Sequence, residues 1–291
     1  MTITPRGRRL GGKRSPALMQ DRQFSAHALF AAAPPPPETV DISPLGPPAW
    51  DQGQEGSCEF HGNAAPFAWA FGGLLISRQA AYNWGRQRED DFGKDEGCFT
   101  ATAIAVMTAG VYAEDHFAYG PANLYVTPPD PSSAVTYKYD SADRCSTPEE
   151  VMAALAMDGA VPLPFAIQLP DYFDNLDQMG VSPVLITPKP GFKDIGGHCM
   201  CAVGYYQDFY STPTFAASGL TRNDIGPFVL KVRNSWGPSF GDHGHCYIDG
   251  EYVLGDQGGD CWKPHVAPNP ISDAGQPVPS YGGVLITGKE L

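Results

Sequence analysis

The chain lacks any long apolar run and any excess of basic residues. Its longest apolar stretch, residues 64–76, is interrupted by one proline and two glycines and is shorter than the roughly 20 residues that a membrane-spanning helix needs. The formal charge is -13. A negative chain binds poorly to nucleic acid or to an anionic membrane surface, because both are polyanions. We therefore expect neither a membrane nor a nucleic acid as a partner.

The chain also lacks the cysteine pattern of a disulfide-stapled secreted domain. Its seven cysteines are an odd number without dense, regular spacing, which favours free thiols in a reducing compartment. No apolar signal-peptide core follows the basic residues near the N-terminus, so we interpret this basic run as a solvated tail. It consists of Arg6, Arg8, Arg9, Lys13 and Arg14. We expect a cytoplasmic protein, with secretion by a non-standard route as the alternative.

Composition divides the chain into four parts. Residues 1–37 contain little that forms a core and end in consecutive prolines, so they are predicted to be an N-terminal leader, flexible or packed on the body. Residues 38–140 carry helical signals, residues 141–270 carry strand signals, and residues 271–291 form a predicted C-terminal tail. A helical half followed by an antiparallel half predicts an α+β fold with two lobes. No internal repeat is visible.

Local signals place the individual elements. Residues 58–71 are predicted to form a buried helix with Ser57 available as its N-cap, and Pro66 is expected to kink this helix or end it early. A capping box of Thr147 and Glu150 predicts a further helix. The remaining predicted helices span residues 77–88 and 102–109, and the predicted strands span residues 161–167, 198–205, 228–233 and 245–248.

Three residues have the chemistry of a nucleophilic site. Cys58 is predicted to lie in the first turn of a helix, where the pKa of a thiol falls. His198 opens a predicted strand after two glycines, and an imidazole beside the thiol would favour the thiolate. Asn234 ends another strand and is a candidate to hold the imidazole ring. Each residue alone also has an ordinary structural interpretation, as a packing cysteine or a satisfied polar side chain.

The stretches DQGQEGSC, GGHCMCAVGYY and VRNSWGPSFGDHGHCYI resemble, in the same order, the cysteine, histidine and asparagine motifs of the papain-like cysteine peptidases, family C1. The separation of about 140 residues between Cys58 and His198 agrees with that family's signature. The resemblance covers about residues 38–263 and is closer to the bacterial and archaeal branch. It implies a papain-like two-lobed fold, with a helical lobe, an antiparallel β-barrel-like lobe and an active-site cleft between them.

The resemblance also implies a role for each matching residue. Cys58 would attack the scissile carbonyl and form a thioester acyl-enzyme, and His198 would pair with it as imidazolium and then protonate the leaving amine. Asn234 would orient the imidazole, and Trp236 would shield their hydrogen bond from water. Gln52 would donate its side-chain amide to the oxyanion hole, beside the backbone N–H of the cysteine.

The same resemblance implies a polypeptide substrate and neither a metal nor an organic cofactor. Gly97 would let an extended peptide pair with the protein backbone. Cys199 would line a pocket for a substrate side chain. Strand alternation turns it away from the face of His198, and this orientation fits a position in the pocket wall but fits the hydrophobic core nearly as well. The oligomeric state, the sequence preference and the choice between endo- and exopeptidase action do not follow from the sequence.

Two departures from the family pattern lie beside the predicted nucleophile. Glu55 replaces a cysteine that forms a disulfide in the secreted relatives. Glu59 replaces an aromatic residue; its charge would raise the pKa of the thiol, whereas an acid in the first turn also suits the helix dipole. The leader is too short for a long helical inhibitory prosegment, so either no such inhibition is needed or residues 18–33 provide it by another route.

Three other interpretations remain open. The histidines and cysteines of HCMC and DHGHC are possible zinc ligands, although alternate residues of a strand face opposite sides and few of them can converge on one ion. A second possibility is a papain-fold binding module that has lost activity. A third is acyl transfer, as in a transpeptidase or ligase, because only the acceptor of the same acyl-enzyme differs.

Overall fold

The first half of the folded body is mainly helical, as predicted. The structure is a computed structural model that describes residues 2–4, 7–15, 35–173, 184–185, 193–255 and 260–270; the predicted tail and residues 18–33 lie outside these ranges. The helices are α1 (Cys58–Ala70), α2 (Arg78–Arg88), α3 (Thr100–Ala109), α4 (Pro148–Ala156), α5 (Pro213–Ser218) and α6 (Gly250–Leu254). Helix α4 begins with the predicted capping box.

The second half contributes most of an eight-stranded sheet. Its strands are β4 (Thr39–Asp41), β8 (Tyr139–Cys145), β9 (Leu163–Pro170), β10 (Val184–Leu185), β11 (Asp194–Tyr206), β12 (Val229–Arg233), β13 (His245–Asp249) and β14 (Asp260–Val266). Their order is β10-β13-β12-β11-β9-β14-β8, with β4 also pairing with β11. The pairs are antiparallel except β10 with β13. The described strands form an open path, and the predicted α+β class is confirmed.

Short strands lie outside this sheet. They are β1 (Thr2–Ile3), β2 (Arg9–Leu10), β3 (Gly12–Lys13), β5 (Cys98–Phe99), β6 (Val111–Tyr112) and β7 (Thr136–Tyr137). Strand β3 pairs with β5 in parallel, and so joins the N-terminus to the helical half of the chain.

Helix α1 lies between two hydrophobic cores. Phe60 and Phe67 belong to the core of the helical half, whereas Ala65 belongs to the larger core beneath the sheet, with residues such as Phe165 and Val232. The two-lobed arrangement follows from these two cores. Because α1 begins at Cys58, the predicted nucleophile lies where the two halves meet.

The expected early end of α1 at Pro66 is wrong, because the helix continues to Ala70. Proline has no N–H for the carbonyl of Gly62, one turn earlier. The thiol of Cys201, in β11, donates a hydrogen bond to that carbonyl oxygen at 3.0 Å. A neighbouring strand therefore satisfies the acceptor that the proline leaves open, and the helix keeps its length.

Residues 206–226, which lead from the end of β11 towards β12, lengthen the connection between His198 and Asn234, and their sequence allows either a flap at the cleft or an exposed loop. They contain a 3₁₀ turn, Phe209–Ser211, followed by α5. Phe209 is buried and packs with Val229 and Tyr247 in a small separate core. This small core anchors the segment to the sheet, while much of its surface is exposed.

Candidate active site

His198 and Asn234 meet across two neighbouring strands. His198 lies in β11, and Asn234 directly follows β12, its antiparallel partner. The Nε2 atom of His198 is 2.8 Å from Oδ1 of Asn234. An amide oxygen only accepts hydrogen bonds, so Nε2 carries the proton there. The backbone N–H of Ser235 donates to the same oxygen at 2.8 Å and holds the amide in this orientation.

Trp236 covers this hydrogen-bonded pair. Its ring centroid is 5.1 Å from that of His198. The ring of Phe173 also packs against the indole, with the two centroids 5.2 Å apart. His198, Asn234 and Trp236 are all buried. The buried indole thus lies against the imidazole that is bonded to the amide, and the shielding of this bond from water stays a prediction for Trp236.

Gln52 has both ends of its side-chain amide bound. Its oxygen accepts a hydrogen bond from the hydroxyl of Ser235, and its nitrogen donates to the backbone carbonyl of Glu55 at 2.8 Å. The same nitrogen donates to the backbone carbonyl of Arg9 at 3.2 Å. The donor predicted for the oxyanion hole is therefore oriented towards a peptide carbonyl of the chain itself.

Residues 8–15, called here the N-terminal segment, lie across the candidate site. The N–H of Cys98 donates to the carbonyl of Gly11 at 3.0 Å. Gly97 has a φ of +75°, and a Cβ atom on it would overlap the backbone of Gly11. A Cβ atom on Gly11 would likewise overlap the carbonyl of Gly56. Two backbones approach each other here more closely than any side chain permits, so glycine is needed on both sides.

The basic residues of the N-terminal segment are held by acids, so the prediction of a solvated tail is wrong for the described part of the run. The ion pairs are Arg8 with Asp51, Arg9 with Asp95 at 2.9 Å, and Lys13 with Glu89 at 3.3 Å. Ser15 is bound as well: its N–H donates to Asp260 at 2.6 Å, and its hydroxyl accepts from the N–H of Ala101 at 2.8 Å.

The buried environment keeps Cys58 and His198 uncharged. Burial, and then the charge of Glu59, raises the pKa of the Cys58 thiol to about 12, against backbone hydrogen bonds from Cys199 and Gly11. Burial lowers the pKa of His198 to about 4, although the hydrogen bond to Asn234 raises it. These shifts favour the neutral thiol and the neutral imidazole, and a neutral thiol is a weak nucleophile.

Glu59 and Cys199 are packed together behind the nucleophile. Burial and the charge of Asp260 raise the pKa of Glu59 well above its usual range, and the hydroxyl of Thr100 donates to its carboxyl group at 3.2 Å. Cys199 is buried, and a Cβ atom on Gly62 would lie 2.7 Å from its sulfur. The predicted pocket residue Cys199 therefore lies against helix α1, as its strand alternation also indicated.

Sequence reasoning missed two parts of this site. The N-terminal segment was missed because basic residues without acidic neighbours are typical of a solvated tail; the paired glycines Gly11 and Gly12 were the available signal. Asp95 was missed because an acid in a loop is usually solvated. Among the described residues, no group of three or more His, Cys, Asp or Glu side chains is placed to hold a metal ion, and none of the described helices is long and apolar enough to cross a bilayer.

Comparison with known proteins points to one fold. No model of a known protein family matches the chain. A curated relative, an uncharacterised peptidase C1-like protein of Acanthamoeba polyphaga mimivirus, is 27% identical over 240 residues, which are 76% of this chain and 70% of that protein. Among solved structures, xylellain, a cysteine protease from Xylella fastidiosa, superposes with a TM-score of 0.71 at 22% identity, over 88% of this chain and 95% of the other.

A second solved structure agrees. The proCathepsin B S9 of Trypanosoma congolense superposes with a TM-score of 0.64 at 15% identity, over 90% of this chain and 88% of the other. The fold is therefore that of the papain-like cysteine peptidases, and the predicted resemblance to family C1 is confirmed.

Proposed function

We propose that this chain is a cysteine peptidase that hydrolyses peptide bonds through a thioester on Cys58. The observation that carries the proposal is the 2.8 Å bond from Nε2 of His198 to Asn234, which leaves Nδ1 without a hydrogen-bond partner. A ring held by one nitrogen and free at the other is ready to exchange a proton with a thiol. The C1-like relative and the cysteine protease neighbours support the same reaction.

The steps follow from the roles of these side chains. Cys58 transfers its proton to His198, and the thiolate attacks the peptide carbonyl carbon. The resulting oxyanion accepts hydrogen bonds from the amide of Gln52 and from the backbone N–H of Cys58. His198 gives its proton to the leaving amine, and a thioester remains. Water, deprotonated by His198, hydrolyses the thioester and restores the thiol, while Asn234 keeps the ring in place.

The form described here is proposed to be latent. The N-terminal segment takes the hydrogen bond of Gln52 and the backbone edge at Cys98, which a substrate would need. The pKa values of Cys58 and His198 favour their neutral forms in this state. One structural neighbour is by its name a procathepsin. Residues 8–15 are thus a part of the proposed leader for which contacts at the site support an inhibitory role, whereas residues 18–33 lie outside the described residues.

Labelling with a thiol-directed epoxysuccinyl probe tests the reaction. We expect wild-type protein to be labelled at Cys58, as read by peptide mass spectrometry, and Cys58→Ala to lose this label. In His198→Ala the labelling rate should fall by about 10²-fold or more, because the thiol loses its proton acceptor. Equal labelling of wild type and His198→Ala would refute the thiolate–imidazolium pair and with it the peptidase function.

Acyl transfer to an amine uses the same thioester, and the contacts at the site do not favour it over hydrolysis. Mass analysis of the products of a peptide substrate, with and without an added amine, separates the two reactions. A protein that labels at Cys58 but cleaves no peptide would instead support the binding-module alternative.

A further inference from the structure

Arg9 joins two features of the site through its two ends. Its backbone carbonyl accepts the hydrogen bond of the Gln52 amide at 3.2 Å. Its guanidinium lies 2.9 Å from Oδ2 of Asp95, whose side chain is 3% exposed. The residue whose carbonyl accepts the hydrogen bond of Gln52 therefore has its side chain ion-paired with a buried acid.

From this we infer that Asp95 selects arginine or lysine as the substrate residue whose carbonyl is attacked. The inference rests on the proposed peptidase function. Gln52 is the proposed donor to the carbonyl under attack, so the residue that supplies this carbonyl occupies the position of Arg9. Its side chain then faces the same carboxylate.

Asp95 is held ready for a cation. Its Oδ1 atom accepts hydrogen bonds from the N–H of Gly56 at 2.8 Å and from the hydroxyl of Tyr82 at 2.6 Å. The other oxygen, Oδ2, is the one that contacts Arg9. Tyr82 and Gly56, which lies two residues before Cys58, thus fix the carboxylate of Asp95. Its second oxygen is left to bind the incoming side chain.

Apart from Arg9, no cation is ion-paired with this carboxylate among the described residues. Arg86 lies nearby, yet its guanidinium donates to backbone carbonyls, among them those of Phe92 and Lys94, and to the side chain of Asn83. Glu55 is a further acid close to Asp95; burial and then the charge of Asp95 raise its pKa to about 7. A buried carboxylate without its own cation discriminates strongly against a substrate that leaves it unpaired.

The N-terminal segment occupies this position without being a substrate. A backbone hydrogen bond from Gly11 is directed at the thiol of Cys58, where a substrate would present its carbonyl carbon. The segment also runs parallel to β5. Arg9 therefore marks the side-chain site on Asp95 while its own peptide bond is not placed for attack.

Two peptidyl acyloxymethyl ketones that differ only in the residue next to the ketone test this selectivity. One carries arginine and the other norleucine, and the rate of Cys58 alkylation by each is measured on the full chain by mass spectrometry. We expect wild type to react about 10- to 100-fold faster with the arginine probe, which corresponds to one charge-assisted hydrogen bond. The segment competes with both probes alike, so the ratio does not depend on latency.

The variant Asp95→Asn should lower this ratio to about 1, because the amide keeps an acceptor for Gly56 and Tyr82 but has no charge. The matched control is Asp140→Asn, which removes the same charge from an exposed position in β8 and should keep the wild-type ratio. Partial unfolding of a variant lowers both rates and leaves the ratio unchanged.

Each of the other outcomes refutes a stated part of the two proposals. Equal rates for the two probes in wild type would refute the selectivity and leave the peptidase function intact. A preference for arginine that persists in Asp95→Asn would refute the role of Asp95. If neither probe alkylates Cys58 in wild type or in Gly11→Ala, where a Cβ atom would overlap the carbonyl of Gly56 and displace the N-terminal segment, the proposed function fails, and the selectivity fails with it.

Discussion

Glu59 directly follows the proposed nucleophile, and its burial determines what it does to the thiol. A charged carboxylate on the residue next to the cysteine would raise the pKa of the thiol and keep it protonated. The side chain is buried, however, and burial raises its own pKa well above the usual range, which favours its neutral form. Its effect on the Cys58 thiol then appears only at a pH high enough to ionise Glu59. The burial of Glu59 therefore narrows the pH range over which its charge opposes a thiolate at Cys58.

The variant Glu59→Gln checks this conclusion. We expect the pKa of the thiol, read from the pH dependence of Cys58 alkylation, to fall by less than about 1 unit. Glutamine removes the charge that adds to the raised pKa of the thiol, but burial already favours the neutral form of Glu59, whereas a fully charged neighbour shifts a pKa by about 1–3 units. Labelling at pH 7 should stay within about twofold of wild type. A fall of the pKa by more than 1 unit would mean that Glu59 is ionised in the folded protein.

At the scale of elements, the N-terminal segment is held by a close approach of backbones. The parallel pair of β3 with β5 is only two residues long, so its hydrogen bonds alone hold the segment weakly. Gly11 lies against Gly56 and Gly97 without space for a Cβ atom. The ion pairs of Arg8, Arg9 and Lys13 also stabilise the bound position of the segment. We expect the site to stay covered as long as no side chain separates Gly11 from Gly56 and Gly97.

A methyl group on Gly11 should therefore uncover the site. We expect Gly11→Ala to raise the rate of Cys58 labelling by the epoxysuccinyl probe about tenfold, since overpacking at a tight contact costs about 1–3 kcal/mol. Gly93→Ala is the control, because the space around Gly93 is open. An unchanged labelling rate in Gly11→Ala would show that the segment does not limit access to the thiol.

At the scale of the whole molecule, charge is distributed unevenly. The formal charge is -13, yet the first 14 residues contain five basic residues and no acidic one. The cationic segment is attracted by the rest of the chain as well as by its individual partners. Several of these contacts are open to solvent: Asp51, the partner of Arg8, has 49% of its side chain exposed. Exposed ion pairs are screened by salt.

Salt should therefore promote opening. We expect labelling of wild-type Cys58 to become about two- to tenfold faster between low salt and about 0.5 M sodium chloride, because each exposed pair contributes up to about 1 kcal/mol. Gly11→Ala, in which the segment is already displaced, should show no such increase. The same salt dependence in both proteins would mean that the effect lies in the probe reaction and not in the segment.

The sequence by itself determined the helix that begins at Cys58, the capping box at Thr147, the α+β class, and the motifs that place His198 in one strand and Asn234 at the end of another. These follow from local patterns, because caps, periodicity and turn residues act over a few positions. The tertiary structure alone decided that Arg9 meets Asp95, that a thiol of β11 satisfies the carbonyl freed by Pro66, and that burial raises the pKa of Glu59. Such contacts join residues far apart in the chain, and burial depends on everything packed around a group, so neither is encoded in a local pattern.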